Sequence, residues 1–210
     1  MKKLFTAIVA ILMAAPSFAQ YSSGGFSLEK ENLYYGARIG LTSAGIGGDE
    51  GIGSKVGMTL GGVIGLRVSS TTPVFLESGL YYTERGGKKD KLTTSLNYFE
   101  IPILIKYGIK ATDEIAILPF VGPYFSYAIS GRTKMKGDED WSSFNETHEY
   151  NGKTYGGYKH ADMGFKLGCG AEYNKLYLEL GYQFGVADIS SYEALTKHGH
   201  AFFMNFGINF

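Results

Sequence analysis

Phe99-Glu100-Ile101-Pro102-Ile103-Leu104-Ile105-Lys106-Tyr107 decides the fold, because it alternates. Phe99, Ile101, Ile103, Ile105 and Tyr107 fall on one side of an extended chain; Glu100, Pro102, Leu104 and Lys106 fall on the other. A period of two marks a strand with unlike faces, and this one extends over Leu96–Ile109. The same alternation recurs over Leu33–Thr42, Gly57–Val68, Val74–Arg85, Ala161–Tyr173, Leu176–Val186 and Ala201–Phe210. It recurs once more over Ile115–Ser130, where Pro119 and Pro123 lack an N–H for the ladder and predict bulges or breaks.

The connections between these segments alternate in length. Ser69–Pro73, Lys110–Glu114 and Asn174–Lys175 are short, whereas Ser43–Val56, Gly86–Ser95, Gly131–His160 and Ala187–His200 are longer and polar or glycine-rich. In an antiparallel meander this gathers the short turns at one end and the long loops at the other. The expectation is an all-β, eight-stranded, antiparallel up-and-down transmembrane β-barrel with short periplasmic turns and long extracellular loops. Strands of this length also suit a tilted crossing of a bilayer, which takes about 9–11 residues.

Alternation does not say which face is outside, since a soluble lipocalin-like barrel has the same period with its apolar side inward. The charges and the aromatics decide. Arg38, Arg67, Arg85, Lys106 and Lys166 share the glycine-rich face with Glu77, Glu100, Asp162, Glu172 and Glu179. An eight-stranded barrel has an interior just wide enough for side chains to fill, and charges there must be paired. The ten residues are therefore read as a salt-bridged lumen network. Tyr35, Tyr107, Tyr173 and Phe210 mark the short-turn ends of the apolar faces, and Tyr82, Phe99, Tyr127, Phe184 and Phe202 the long-loop ends. Two aromatic bands fit the two membrane–water interfaces.

Composition agrees. Thirty glycines, 16 tyrosines and 14 phenylalanines in 210 residues exceed ordinary usage. Residues 1–19 read as a cleaved secretory signal: Lys2 and Lys3, an apolar run from Leu4 to Ala15 too short to span, and a cut after Ala19. Residues 20–32 read as a periplasmic N-terminal segment and residues 33–210 as the barrel. Without Lys2 and Lys3, 18 basic and 20 acidic residues leave a net charge of −2, which does not support nucleic-acid binding. The single cysteine, Cys169, forms no internal disulfide.

The final strand carries Phe202, Met204, Phe206, Ile208 and Phe210 on one face. This pattern resembles the C-terminal signal of outer-membrane barrels, which implies recognition by the barrel-assembly machinery. Four further segments stand in order along the chain: Glu77-Ser78-Gly79-Leu80-Tyr81-Tyr82, Tyr98 to Tyr107, Pro119-Phe120-Val121-Gly122-Pro123-Tyr124 and Leu178-Glu179-Leu180-Gly181-Tyr182. Together they resemble the PorT-like outer-membrane β-barrel family from Leu33 to Phe210. The resemblance implies fold and location in the outer membrane, and no particular biochemical role.

The loops carry fragments of catalytic and cofactor motifs, none of them complete. Gly45 to Lys55 lacks the Gly-Lys-Ser/Thr order of a phosphate loop, and Asp138-Glu139-Asp140 misses the calcium-loop spacing. Ser190 or Ser191, His198 or His200, and Asp188 suggest a hydrolase triad only on paper, since no elbow motif accompanies them. His198 and His200 share a strand face but lack a third metal ligand. The reading is a non-enzymatic barrel with no cofactor and no metal. Its expected partners are outer-membrane lipid and lipopolysaccharide, the assembly machinery, and a protein engaged through the loops. Trp141, Phe144, Tyr150 and Tyr155 in Gly131–His160 are the candidate partner surface. The alternatives are a small-molecule carrier or narrow channel, the loop hydrolase, and the soluble barrel.

Overall fold

The computed structural model describes residues 33–49, 51–68, 72–135, 140–144, 147–150, 153–192 and 195–210, with backbone alone for 147–150 and 153–156. The predicted signal peptide and N-terminal segment lie outside the described residues. Eight long strands make the wall: β1 (Leu33–Gly48), β2 (Ile52–Arg67), β3 (Val74–Lys89), β4 (Leu92–Tyr107), β5 (Ile115–Met135), β6 (Ala161–Tyr173), β7 (Leu176–Gly185) and β8 (Lys197–Asn209). Each pairs antiparallel with its sequence neighbour, and β8 returns to pair with β1 from Lys197↔Gly48 to Asn209↔Gly36. The ring is closed, so within the wall no backbone edge faces outward.

Burial follows the period of two. Ile101 is 47% exposed while the adjacent Glu100 is 1% exposed, and the same contrast runs round the barrel. A soluble lipocalin-like barrel would show the reverse. Leu60, Leu80, Val121, Met163 and Met204 all present bare apolar surface outward, which is stable only against hydrocarbon. Tyr82, Phe99 and Tyr127 stand in a single row across β3, β4 and β5, with the rings of Tyr82 and Phe99 edge to face at 6.3 Å. This row marks the upper rim of the apolar belt.

The turns explain the tight ends. Asn174 has φ 54° in the Asn174–Lys175 turn, and Asp90 has φ 51° in the Asp90–Lys91 turn. Two-residue hairpins that follow strand twist need positive φ, which Asn and Asp tolerate.

Several expected boundaries are corrected. Ser43–Val56 and Gly86–Ser95 are largely strand, because β1 runs on to Gly48, β2 starts at Ile52, and β3 and β4 pair as far as Lys89↔Leu92. The cue is lost there because these ends stand beyond the belt, in water, where the outward residues need not be apolar. Gly131–His160 also holds ordered backbone: Trp141–Ser142 pairs with β5, and Thr147–Tyr150 pairs with Lys153–Gly156. β5 is not broken at its prolines but runs unbroken for 21 residues. The missing N–H groups show instead as two unregistered steps against β4, between Pro102↔Tyr124 and Ile105↔Val121. Pro102 likewise interrupts the β3 side of β4, where Ser78 Oγ donates to the Pro102 carbonyl at 2.8 Å.

Ile103 sits midway along the lipid-facing row of β4, whereas Thr93 lies six residues above Phe99. Ile103→Arg is expected to cost about 2–4 kcal/mol and Thr93→Arg about 0–1, given the depth dependence of charges on barrel walls. Equilibrium unfolding in lipid vesicles measures both; equal costs would contradict the placement of the belt.

Candidate functional site

The inner face is built by parity. Every second residue of each strand points into a lumen that arginine, lysine and tyrosine cross, and glycines opposite them leave the room. A side chain at Gly65 would meet the Tyr34 ring, and one at Gly170 the Tyr177 hydroxyl. All ten residues of the expected charge network are buried on this face.

Eight of the ten fall into two clusters. Towards the short-turn end, Glu77 receives Lys106 Nζ at 2.7 Å, Arg38 at 3.5 Å and the Tyr34 hydroxyl at 2.6 Å. Lys106 also donates to the Tyr177 hydroxyl at 2.8 Å and lies 3.8 Å from Glu179, which accepts from Asn205 at 2.7 Å. Arg38 stacks on the Tyr177 ring, 4.3 Å from its centroid. Nearer the long-loop end, Arg85 joins Asp162 at 2.8 Å and also contacts Glu100, which Lys166 contacts from β6. The Tyr124 hydroxyl donates to Asp162 at 3.1 Å, and the Gln183 carboxamide oxygen, in the orientation that satisfies both groups, accepts from Arg85 at 3.0 Å. Leu104, Phe120 and Phe203 pack between the clusters. Arg67 and Glu172 are buried nearer the short turns, where Asn209 donates to Glu172 at 2.7 Å.

Tyr34, Tyr124, Tyr177, Gln183, Asn205 and the buried Lys197 were not singled out from sequence. The signal was available, since each occupies an inward position by parity. Formal charge drew the reading to Arg, Lys, Asp and Glu, and past the neutral groups that satisfy them.

The long-loop end is closed by an apolar packing. Ile46, Ile52, Leu92, Leu96, Tyr98, Ala128, Trp141, Tyr158 and Ile189 form one buried cluster, with Met135 and Phe144 against it. This corrects the partner-surface reading: Trp141 is 7% exposed and Phe144 half-buried, both turned into the barrel mouth. Trp141 is held inward because Trp141–Ser142 pairs with Thr133 and Arg132 of β5. The side chains of Tyr150 and Tyr155 lie outside the described residues. Phe202, Met204, Phe206, Ile208 and Phe210 all face outward, and the backbone of Phe210 exchanges hydrogen bonds with Tyr35 at 2.6 and 3.1 Å.

The imagined triad does not assemble. Ser190 Oγ donates to the Tyr192 carbonyl at 3.2 Å, and His198 Nδ1 lies 2.9 Å from the Ala187 carbonyl. Asp188 instead organises its own loop, accepting from the amides of Ser190 at 3.0 Å and Lys197 at 2.9 Å. Burial pushes the Asp188 carboxyl upward, but these amides and the Lys159 ammonium at 3.4 Å outweigh it and hold its pKa below the ordinary range. Asp140 bridges Lys134 at 3.0 Å and Arg132 at 3.7 Å; Asp138 and Glu139 lie outside the described residues. Among the described residues, no three His, Cys, Asp or Glu side chains gather to hold a metal.

A closed antiparallel wall, apolar outside and charged inside, defines a transmembrane β-barrel, and eight strands make it a small one. The chain belongs to the family described as the outer membrane protein beta-barrel domain, whose model matches residues 18–191. It is an integral protein of the bacterial outer membrane. Neisserial surface protein A is similar, at 15% identity and TM-score 0.47, with 87% of this chain and 100% of that one covered. So is a major outer membrane protein from Thermus thermophilus, at 14% identity and TM-score 0.47, covering 83% and 99%. Ail, the attachment invasion locus protein of Yersinia pestis, solved with the heparin analogue sucrose octasulfate, matches at 10% identity and TM-score 0.44, covering 85% and 99%. No curated protein matches the sequence.

Arg85→Met takes the cation from the buried Asp162 and leaves Glu100 with Lys166 alone, and is expected to cost about 3–5 kcal/mol in vesicle unfolding. Neutralising Asp162 in the same variant (Asp162→Asn), which keeps the Glu100–Lys166 pair, should recover most of that loss; an unchanged Arg85→Met would show the cluster contributes no stability. For Asp188, the depressed folded pKa lies below an unfolded value of about 3.9, so its stabilisation is full above that pH and fades as pH falls through the folded value. The protection factors of the Ser190 and Lys197 amides, corrected for the intrinsic pH dependence of exchange, should therefore fall on acidification, and Asp188→Asn should lower them at neutral pH.

Proposed function

We propose that this is a non-enzymatic outer-membrane barrel with a plugged lumen, serving the membrane as a structural element and presenting its extracellular end to partners. One observation carries the reading. The two charge clusters are interleaved with apolar packings: Tyr34, Phe75, Leu118 and Tyr177 below, Leu104, Phe120 and Phe203 between, and the Trp141 cluster above. A hydrated ion entering such a lumen would have to break buried ion pairs at two levels, each costly to separate.

Within this reading the chain is exported with cleavage after Ala19, and its last strand, with Phe202, Met204, Phe206, Ile208 and Phe210 outward, is read by the assembly machinery. The Glu77–Tyr82 and Tyr98–Tyr107 segments support a place in the PorT-like branch of the outer-membrane barrels. With Trp141 and Phe144 turned inward, contact with a partner falls to the exposed tips and outer faces of the strand extensions.

The mature protein, reconstituted in a planar bilayer, is expected to be electrically silent. Discrete conductance steps would overturn the plugged lumen in favour of the carrier or narrow-channel alternative. Arg85→Ser with Lys166→Ser, which removes the upper cations, serves as the sensitised variant for detecting leakage.

A further inference from the structure

The wall is lopsided. β3, β4 and the upper part of β5 continue past the Tyr82–Phe99–Tyr127 row as a three-stranded flap, while β7 ends at Gly185. The outer face of this flap changes character at once. Its first row above the aromatics is Glu84, Asn97 and Ser130, its second Ser95 and Arg132, and its third Lys88, Thr93 and Lys134. A register shift between Asn97 and Tyr98 makes this pattern, because it steps over Ile129 and turns Arg132 and Lys134 outward. No apolar side chain stands in these rows.

Lys88, Arg132 and Lys134 thus form a cationic outer face directly above the membrane belt. The Arg132 and Lys134 side chains are 68% and 61% exposed and both lean on the carboxylate of Asp140; with Glu84 in the first row, the described residues of this face carry three cations against two carboxylates. Glu84 is turned to other work, its Oε2 accepting from the Met58 amide at 3.4 Å beside the β2 irregularity.

Height identifies the complement. Two residues climb about 6.7 Å along a strand, or about 5 Å vertically at the usual barrel tilt. The Arg132 row therefore stands about 10 Å, and the Lys88–Lys134 row about 15 Å, above the aromatic rim. Phospholipid headgroups add only about 5–8 Å to each side of the hydrocarbon core. The cations rise above them, so an anion that meets them must be carried higher by its own lipid.

We propose that the outer face of the β3–β4–β5 flap binds the phosphorylated sugars of an outer-leaflet glycolipid, namely lipopolysaccharide, through Lys88, Arg132 and Lys134. Thr93 and Ser95 set hydroxyls between the cations, where sugar oxygens would meet them. The proposal rests on the barrel standing with its long-loop end outward.

The test uses the mature protein refolded in neutral detergent and titrated with purified lipopolysaccharide, with the same glycolipid after chemical removal of its phosphates, with phosphatidylglycerol and with inorganic phosphate. Binding to intact lipopolysaccharide is expected to weaken with salt. The triple variant Lys88→Gln, Arg132→Gln, Lys134→Gln should weaken it about a hundredfold, since each basic side chain near an anionic surface contributes about a factor of five. Asp140→Asn, which removes the opposing charge, should tighten it. A triple variant that binds like the wild type, or equal binding to the dephosphorylated glycolipid or to phosphatidylglycerol, would overturn the proposal, as would binding to free phosphate alone. The gel shift between unboiled and boiled samples is read alongside. A variant that keeps the shift while binding is unchanged sinks the flap assignment and leaves the barrel intact, whereas a wild type without the shift sinks the barrel reading itself. Single variants at Lys88 and Arg132, each expected to lose about fivefold, replace the triple variant if it does not refold.

Discussion

Hydrocarbon offers no hydrogen bond, so each backbone N–H and C=O at membrane depth must be paired within the protein. The ring closed by β1 and β8 meets that demand, and most other features are consequences of it. The ladder runs from Gly36↔Asn209 to Gly48↔Lys197, and Phe210 and Tyr35 extend it by one further exchange. Where proline interrupts the ladder, a side chain can enter it, as Ser78 Oγ does in donating to the Pro102 carbonyl. Once the backbone is satisfied by the wall, only the side chains distinguish outside from inside.

That division inverts the usual protein core. Apolar side chains gain nothing by turning inward when lipid is already apolar, so Ile103, Leu60 and Met204 face out and the lumen takes the polar groups. A narrow lumen then has to be filled. Glycine on one strand admits an aromatic ring from the next, as Gly65 does for Tyr34, and the rings carry the cations: Arg38 over Tyr177, Lys166 over Phe203 at 4.7 Å. Buried ion pairs are weak evidence for stability in general, because desolvation opposes them. Here the alternative for the same groups is a bilayer, and pairing across sequence-distant strands ties the wall together through its centre.

Above the membrane the rules relax, and the two sides of the barrel part. β1 to β5 rise into water, with polar outer rows on β3, β4 and β5, while β6 and β7 stop low, and the mouth is roofed by the chain around Trp141, Tyr158 and Ile189. The roof is itself a small water-side core, with the Tyr158 amide bonded to the Ser143 carbonyl at 2.9 Å and that of Lys159 to the Ile189 carbonyl at 2.8 Å. The chain at the long-loop end is thus committed first to closing the mouth.

Period-two alternation from Phe99 to Tyr107, the alternating lengths of the connections and the aromatic bands were local in the chain, and they determined strand number, pairing order and which face meets lipid. Parity likewise placed Arg38, Glu77, Arg85, Glu100 and Lys106 on one face, because alternation is a property of the extended backbone itself. Tertiary structure alone decided which charge meets which: Arg85 and Asp162 are 77 residues apart in sequence and 2.8 Å apart in space, a matter of barrel stagger that no local pattern encodes. It also decided that Trp141 is roof and not surface. An aromatic residue in a polar segment reads the same in either role, and only a partner cluster supplied by β1, β2, β4 and β5 draws it inward. The strand extensions were hidden for the same reason. Above the belt the solvent no longer selects apolar residues on the outer face, so the backbone continues its ladder without the alternation that announces it.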